Sequence, residues 1–323
     1  MVTKRESLQG ASAVASGIPA HGAASAEPPT IRPSRPRAAL AFDVPDGACD
    51  THVHVIGDTA RYRFVTDRAY TPPEASVEDL QAVHQALRLQ RVVIVQPSFY
   101  GTDNSCTLDA IKSIGSSAHG IAVIDGKTPD AALDDMQRIG IRGVRLNLST
   151  AGVTDPAASA RMLRAVADRV GRLKWHVQVN TAPALIATLK QEFAALPFPL
   201  VIDHFGGAKS VNAPGFDALI ELVGSAKAYV KISATKLFET DPPQFAGYAA
   251  MAKALIAANP DRILWGSNWP HPGARTSGYV ITDLMPWRDI DDAVIFNLLP
   301  AWEPDAAVRK KILVDNPARL FGF

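Results

Sequence analysis

A chain of 323 residues, 47% hydrophobic and 20% charged, is long enough to bury a large core and too apolar to be disordered. Its 33 Lys and Arg against 32 Asp and Glu give a net charge of +1, which leaves no electrostatic footprint for a nucleic-acid backbone or an anionic membrane surface. Two cysteines exclude a disulfide framework and a four-sulfur zinc site, and no run of about 18 apolar residues is present to span a membrane, so small-molecule chemistry is the expectation.

The chain opens on Thr3-Lys4-Arg5-Glu6-Ser7-Leu8, a small-residue stretch from Gly10 to Ala23, and Ala24-Ser25-Ala26. Residues 1–26 thus resemble a twin-arginine export signal ending in an A-x-A cleavage site, with Lys4 standing at the first arginine. That resemblance implies a periplasmic location, the cytoplasm being the alternative. Residues 27–46, with Pro28, Pro29, Pro33 and Pro36 among Arg32, Arg35 and Arg37, read as a solvated linker, and residues 47–323 as one domain.

From there short β-branched segments recur: Cys49–Val55, Arg91–Gln96, Gly120–Asp125, Gly143–Leu148, His176–Asn180, Leu200–Asp203, Ala228–Ser233 and Arg262–Trp265. Helical spacing fills Ser76–Leu89, Asp130–Ile139, Ala157–Leu173, Ala182–Ala195, Phe216–Gly224, Pro243–Ala258 and Ala306–Leu313. Eight strand-helix units predict an α/β fold, a (β/α)8 TIM barrel. Cys49 and Cys106 read as buried thiols, Trp287 and Trp302 as core or lid packing with a subunit interface as the alternative, and His84 and His119 as surface or helix residues.

Such barrels build their sites at the carboxyl ends of the strands. Those ends carry His52 and His54, Ser98, Asp125, Arg145 with Asn147, Asn180, His204, Ser233 and Asn268, so nearly every strand delivers a polar group to one rim. His52 and His54, two residues apart on one strand, share a face that should be the barrel interior. With His204 they could hold a single zinc ion, although paired histidines also serve as hydrogen-bond donors.

The ordered set Asp50-Thr51-His52-Val53-His54, Ile202-Asp203-His204, Leu264-Trp265-Gly266-Ser267-Asn268-Trp269-Pro270-His271 and Asn316-Pro317-Ala318-Arg319-Leu320-Phe321 resembles the amidohydrolase superfamily. The last motif is typical of its amidohydrolase-related branch. Within that branch the chain is similar to the 2-pyrone-4,6-dicarboxylate lactonases and to sugar-acid lactone enzymes such as D-galactarolactone isomerase. The resemblance implies a barrel that hydrolyses or isomerises a carboxylate-bearing lactone and needs no metal or other cofactor. It implies catalytic roles for His52, His54, His204 and the residue at 268, and substrate contacts from Tyr70, Ser98 and Arg145; Asn180, Lys236 and His271 are further candidate substrate-binding residues of this chain.

Several positions depart from the lactonase pattern. Asn268 stands where that pattern has the aspartate that activates water, and a carboxamide is far too weakly basic for that work. Gly207 stands where dicarboxylate lactonases carry an arginine, and Asn180 where they carry a tyrosine. The binuclear metal pattern is also missing its strand-four, strand-five and strand-eight ligands. The expectation is therefore a metal-independent hydrolase of a carboxylated lactone or similar cyclic ester. The alternatives are an intramolecular lactone isomerase, in which Asn268 positions an attacking hydroxyl, and a catalytically silent barrel that binds a sugar acid.

Overall fold

The computed structural model of the chain describes residues 32–233, 245–273 and 278–323. Eight parallel strands run side by side in chain order: β1 (Cys49–Val53), β2 (Arg91–Val95), β3 (Ala118–Ala122), β4 (Ile141–Asn147), β5 (His176–Asn180), β6 (Leu200–Ile202), β7 (Ala228–Ser233) and β8 (Ile263–Gly266). This is the expected barrel. Its seam between β8 and β1 is shut by single bonds: Asn268 N donates to His52 O at 2.8 Å, His54 N to Trp269 O at 2.9 Å, and Thr51 Oγ1 to Trp265 O at 2.7 Å. Gly266 permits that approach, since a Cβ there would lie 2.7 Å from the Cβ of His52.

Two apolar layers hold the barrel. Outward-facing residues such as Val92, Ile94, Val144, Val177, Ile202, Ile232 and Ile263 pack beneath the helices, whereas Cys49, Val93, Val95, Ile121, Val201, Tyr229 and Leu264 cluster inside with Phe321. The period of two along each strand produces this division. The helix Val77–Leu87 begins with a reciprocal cap: Ser76 Oγ accepts from Asp79 N at 3.2 Å, and Asp79 Oδ2 accepts from Ser76 N at 3.3 Å.

Some expectations need correction. β3 begins two residues earlier than its sequence pattern predicts, so Asp125 falls in the following loop, where its Oδ1 accepts from Lys127 N and Thr128 Oγ1 instead of reaching the rim. Helices at Ser105–Ile114, Asp292–Phe296 and Leu299–Trp302 were not anticipated, and the last helical run continues from Ala306 to Phe321. His119 is neither on the surface nor on a helix but on β3, buried and stacked on Phe323; His84 is on a helix as expected, Val77–Leu87, buried 3.5 Å from Asp50 Oδ2. Trp287, Trp302, Cys49 and Cys106 are buried as anticipated.

The segment read as a solvated linker is docked over its described part. Pro33 is buried, Ser34 Oγ donates to Ile290 O at 2.6 Å, Ala38 N to Asp291 Oδ2 at 2.9 Å, and Phe42 meets Phe296 edge to face at 4.9 Å. Its proline and arginine content hid this, because the segment contributes backbone groups to partners about 250 residues away. No helix among the described residues is long and apolar enough to cross a membrane.

Candidate active site

The inward positions change character as the strands rise. Above the apolar floor, two residues further along β4, β5 and β7, come Arg145, Gln178 and Lys231, joined by Asp203 after β6 and His52 on β1. Two residues further again come Asn147, Asn180 and Ser233, joined by His54, His204 and Asn268.

The middle tier is a buried charge network. Asp203 Oδ2 accepts from Arg145 Nε at 3.1 Å and Gln178 Nε2 at 3.1 Å, with Arg145 Nη2 also 3.1 Å away. Asp203 Oδ1 lies 3.3 Å from His52 Nδ1 and 3.7 Å from Lys231 Nζ. Lys231 Nζ donates to Gln178 Oε1 at 2.7 Å and Thr51 O at 2.8 Å, and reaches His52 Nδ1 at 3.4 Å. Burial would raise the Asp203 pKa, yet His52, Arg145 and Lys231 hold it well below the usual carboxylate range. Burial pulls the Lys231 ammonium down to about 8 against the attraction of Asp203, and burial lowers the His52 imidazole.

Above this tier opens a cavity of about 430 Å³ at the carboxyl ends of the strands. Of the site residues anticipated from sequence, His54, Tyr70, Ser98, Arg145, Asn180, His204 and Asn268 line it. His54 Nδ1 lies 2.8 Å from Val95 O, so Nδ1 carries the proton and Nε2 is left as an acceptor; burial lowers the imidazole to about 3 and keeps it neutral. His204 Nδ1 is 2.5 Å from Ser233 Oγ. Burial raises Tyr70 to about 12, which leaves its hydroxyl a donor at working pH. Asn180 Nδ2 donates to Asn147 Oδ1 at 2.8 Å, tying the ends of two neighbouring strands together.

The loops that present these groups are bent into uncommon backbone. His204, Phe205 and Asn268 adopt φ of 53°, 54° and 61°, a left-handed conformation that costs about 1–2 kcal/mol per residue without glycine. Phe205, fully buried with its ring edge-on to Tyr248 and Trp302, anchors the turn that aims His204. Gly207 lines the cavity at φ +73°, and a Cβ there would meet the Thr181 carbonyl at 2.7 Å. The local backbone therefore has no room for the arginine of the dicarboxylate pattern.

Two anticipated residues are placed elsewhere, and a third is not described. His52 sits beneath the cavity in the charge network. His271 is buried away from the cavity with Nε2 2.7 Å from Asp292 Oδ1, because the chain turns at Pro270 and sends its ring toward the helix at 292–296. Lys236 lies outside the described residues. Sequence reading gave no role to Lys231 or Gln178 and none to Asp203 beyond its place in a motif. Alternation could have found the first two, since each precedes a polar strand end by two residues and so shares its face.

His52, Asp203 and His204 place donor atoms within 4.8 Å of one another, a grouping that could hold a metal ion. It includes a carboxylate and omits His54 from the anticipated zinc set. The fit fails on charge. An ion at bonding distance from Asp203 Oδ1, about 2 Å, would share that oxygen with Lys231 Nζ 3.7 Å away. The ammonium also lies 3.4 Å from His52 Nδ1, so an ion there would be repelled by it and would compete with it for two of the three ligands. The residues present therefore do not suit a divalent ion while Lys231 is charged.

Known proteins resemble this chain over nearly its whole length. It is 35% identical over 301 residues to a 4-sulfomuconolactone hydrolase of Rhizobium radiobacter, covering 91% of this chain and 96% of that one. It is 31% identical to a 2-pyrone-4,6-dicarboxylate hydrolase of Comamonas testosteroni, covering 90% and 93%, and 28% identical to the D-galactarolactone isomerase of Agrobacterium fabrum, covering 86% and 91%. A Pseudomonas putida crystal structure assigned to 2-pyrone-4,6-dicarboxylic acid hydrolase superposes with a TM-score of 0.72 at 29% identity, over 86% of this chain and 98% of that one. The family model described as amidohydrolase matches residues 49–323, which span every strand and every cavity-lining residue named above. With that match over residues 49–323 and its eight-stranded barrel, the chain belongs to the amidohydrolase family.

Proposed function

We propose that this protein hydrolyses a lactone bearing an acidic group, in the cavity at the carboxyl ends of the strands and without a metal. The observation that carries the reading is the convergence on one cavity of an imidazole held by a hydroxyl, a neutral phenol and a guanidinium: His204, Tyr70 and Arg145. The lactone-hydrolase relatives support it. Arg145, already oriented by Asp203, offers its remaining N–H groups to a carboxylate. Tyr70 donates to the carbonyl oxygen, where negative charge develops as the tetrahedral intermediate forms. His204, its Nδ1 fixed against Ser233, takes a proton from water at Nε2, and neutral His54 helps hold that water through its lone pair. The water oxygen bonds to the carbonyl carbon, the ring C–O bond breaks, and His204 returns the proton to the departing alkoxide.

Among the described lining residues Arg145 is the single cation, and Asp203 balances it. The rest of the polar lining is neutral: Asn147, Asn180, Ser98, Ser149, Thr150 and Thr181. This favours a hydroxyl-rich lactone with one acidic group over a planar dicarboxylate. A second reading, ring migration, is favoured by Asn268, whose carboxamide lines the cavity and has no hydrogen-bond partner among the described residues. It could orient a substrate hydroxyl that attacks in place of water.

Metal-stripped wild type and Asn268→Asp incubated with a panel of sugar-acid and dicarboxylate lactones, followed by NMR, separates these. Ring opening by wild type is the expected result. Ring migration by wild type, with opening only in Asn268→Asp, replaces hydrolysis by isomerisation; turnover only after zinc is added rejects the metal-free mechanism. Binding without turnover in either protein identifies a silent sugar-acid-binding barrel. We also propose, from residues 1–26, export to the periplasm, tested by cell fractionation of the full chain beside a variant with Lys4 and Arg5 replaced by Gln.

A further inference from the structure

We propose that Lys231 is a built-in cation that keeps a metal-ligand-like cluster, His52, Asp203 and His204, closed to divalent ions and ready for metal-free work. The cluster has donor types that zinc accepts, two imidazoles and a carboxylate, with ligand atoms within 4.8 Å of one another. It stands over the end of a fully buried lysine, whose Nζ lies 3.4 Å from His52 Nδ1 and 3.7 Å from Asp203 Oδ1. A buried carboxylate requires compensating positive charge. Arg145 supplies it at Oδ2, and Lys231 supplies it on the Oδ1 side, where an ion would bind.

Lys231 is held too firmly to swing aside. Two of its three protons go to Gln178 Oε1 at 2.7 Å and Thr51 O at 2.8 Å, and its side chain rises from the middle of β7 with no exposed surface. The third proton points to His52 Nδ1. His52 Nδ1 also lies 3.3 Å from Asp203 Oδ1, so the imidazole is tied to both the carboxylate and the ammonium on the side where an ion would bind. One side chain thereby excludes an ion from the space between Asp203 Oδ1 and His52 Nδ1. Lys231 does not line the cavity, so it is a positioning residue.

This inference rests on the metal-free reading above, but its test reads the cluster directly, whether or not a lactone is turned over. Chelator-treated wild type, Lys231→Met and Lys231→Met/Asp203→Asn are titrated with zinc chloride by calorimetry. The expected result is no site in wild type tighter than millimolar, one site per chain at least 100-fold tighter in Lys231→Met, and loss of that site in the double variant. Lys231→Met that folds, by circular dichroism, yet binds zinc no better than wild type overturns the proposal. So does a stoichiometric wild-type site that Asp203→Asn removes, a result that stands even if Lys231→Met fails to fold. Absence of lactone turnover by wild type with the calorimetric pattern intact would instead count against the proposed function alone.

Discussion

At the scale of single residues, the decisive feature is that charge is stored beneath the cavity, where water cannot screen it. Arg145 and Asp203 are both buried and share two contacts of 3.1 Å, and Gln178 adds a third to the same carboxylate oxygen. Removing one partner leaves the other charged and dry, so Arg145→Met should lower the unfolding free energy in urea by about 3–5 kcal/mol. Arg145→Met/Asp203→Asn should recover a large part of that loss; a double variant no more stable than the single would show that the pair contributes packing only. Tyr70→Phe should behave in the opposite manner. Because Tyr70 lines the cavity and its hydroxyl has no hydrogen-bond partner to strand among the described residues, stability should change by less than about 1 kcal/mol, while kcat falls about 100-fold with the lactone identified from the panel. Unchanged kcat would move the oxyanion contact to another donor.

At the scale of elements, the docked segment at residues 33–42 couples the start of the described chain to its C-terminal region. Phe42 packs on Phe296, and Asp291 both accepts from Ala38 N and caps the helix Asp292–Phe296 through Ala293 N. Phe42→Ala should cost about 2 kcal/mol, roughly half the loss for a fully buried phenylalanine, read as a lower melting temperature; an unchanged value would mean that the segment rides on the surface without stabilising it. The element scale also shows what was legible in the sequence. Strands with continuous β-branched character, such as Arg91–Val95 and Ala228–Ser233, were found within a residue of their ends, because buried parallel strands announce themselves by composition. The short helices at 292–296 and 299–302 were not, since five and four residues carry too little periodicity to register. The rim residues His54, Ser98, Asn180, His204 and Asn268 were legible because strand ends map directly onto the cavity wall. The charge network was not, since it depends on which distant strands face one another across the barrel. His271 misled because its place in the motif gave no hint that the turn sends its ring to Asp292.

At the scale of the whole molecule, acid should be the weak point. Burial lowers His54 and His176 to about 3 and His119 to about 4, so the fold holds them neutral where an unfolded chain would take up protons below about 6.5. Their contribution is complete above about 6.5 and is lost as pH falls toward the folded values. Asp203, held far below the carboxylate range, stays ionised through that window and does not offset the loss. The two fully buried imidazoles alone should remove about 3 kcal/mol of stability between about pH 5.5 and 4.5. Urea midpoints that stay level across that interval would show that these rings are already protonated in the fold. The seam between β8 and β1 has a different consequence. Its closing bonds are made by the backbone of His52, His54 and Asn268, so mechanical closure of the barrel and the aim of reactive side chains are one variable there. In a mutant library, substitutions at Thr51, Gly266 and Ser267 should make heat tolerance and turnover rise and fall together. Substitutions at Asn147 and Asn180, whose contact is side chain to side chain, should leave the two traits free to diverge, which makes that corner of the rim the place where selection can change the substrate without loosening the barrel.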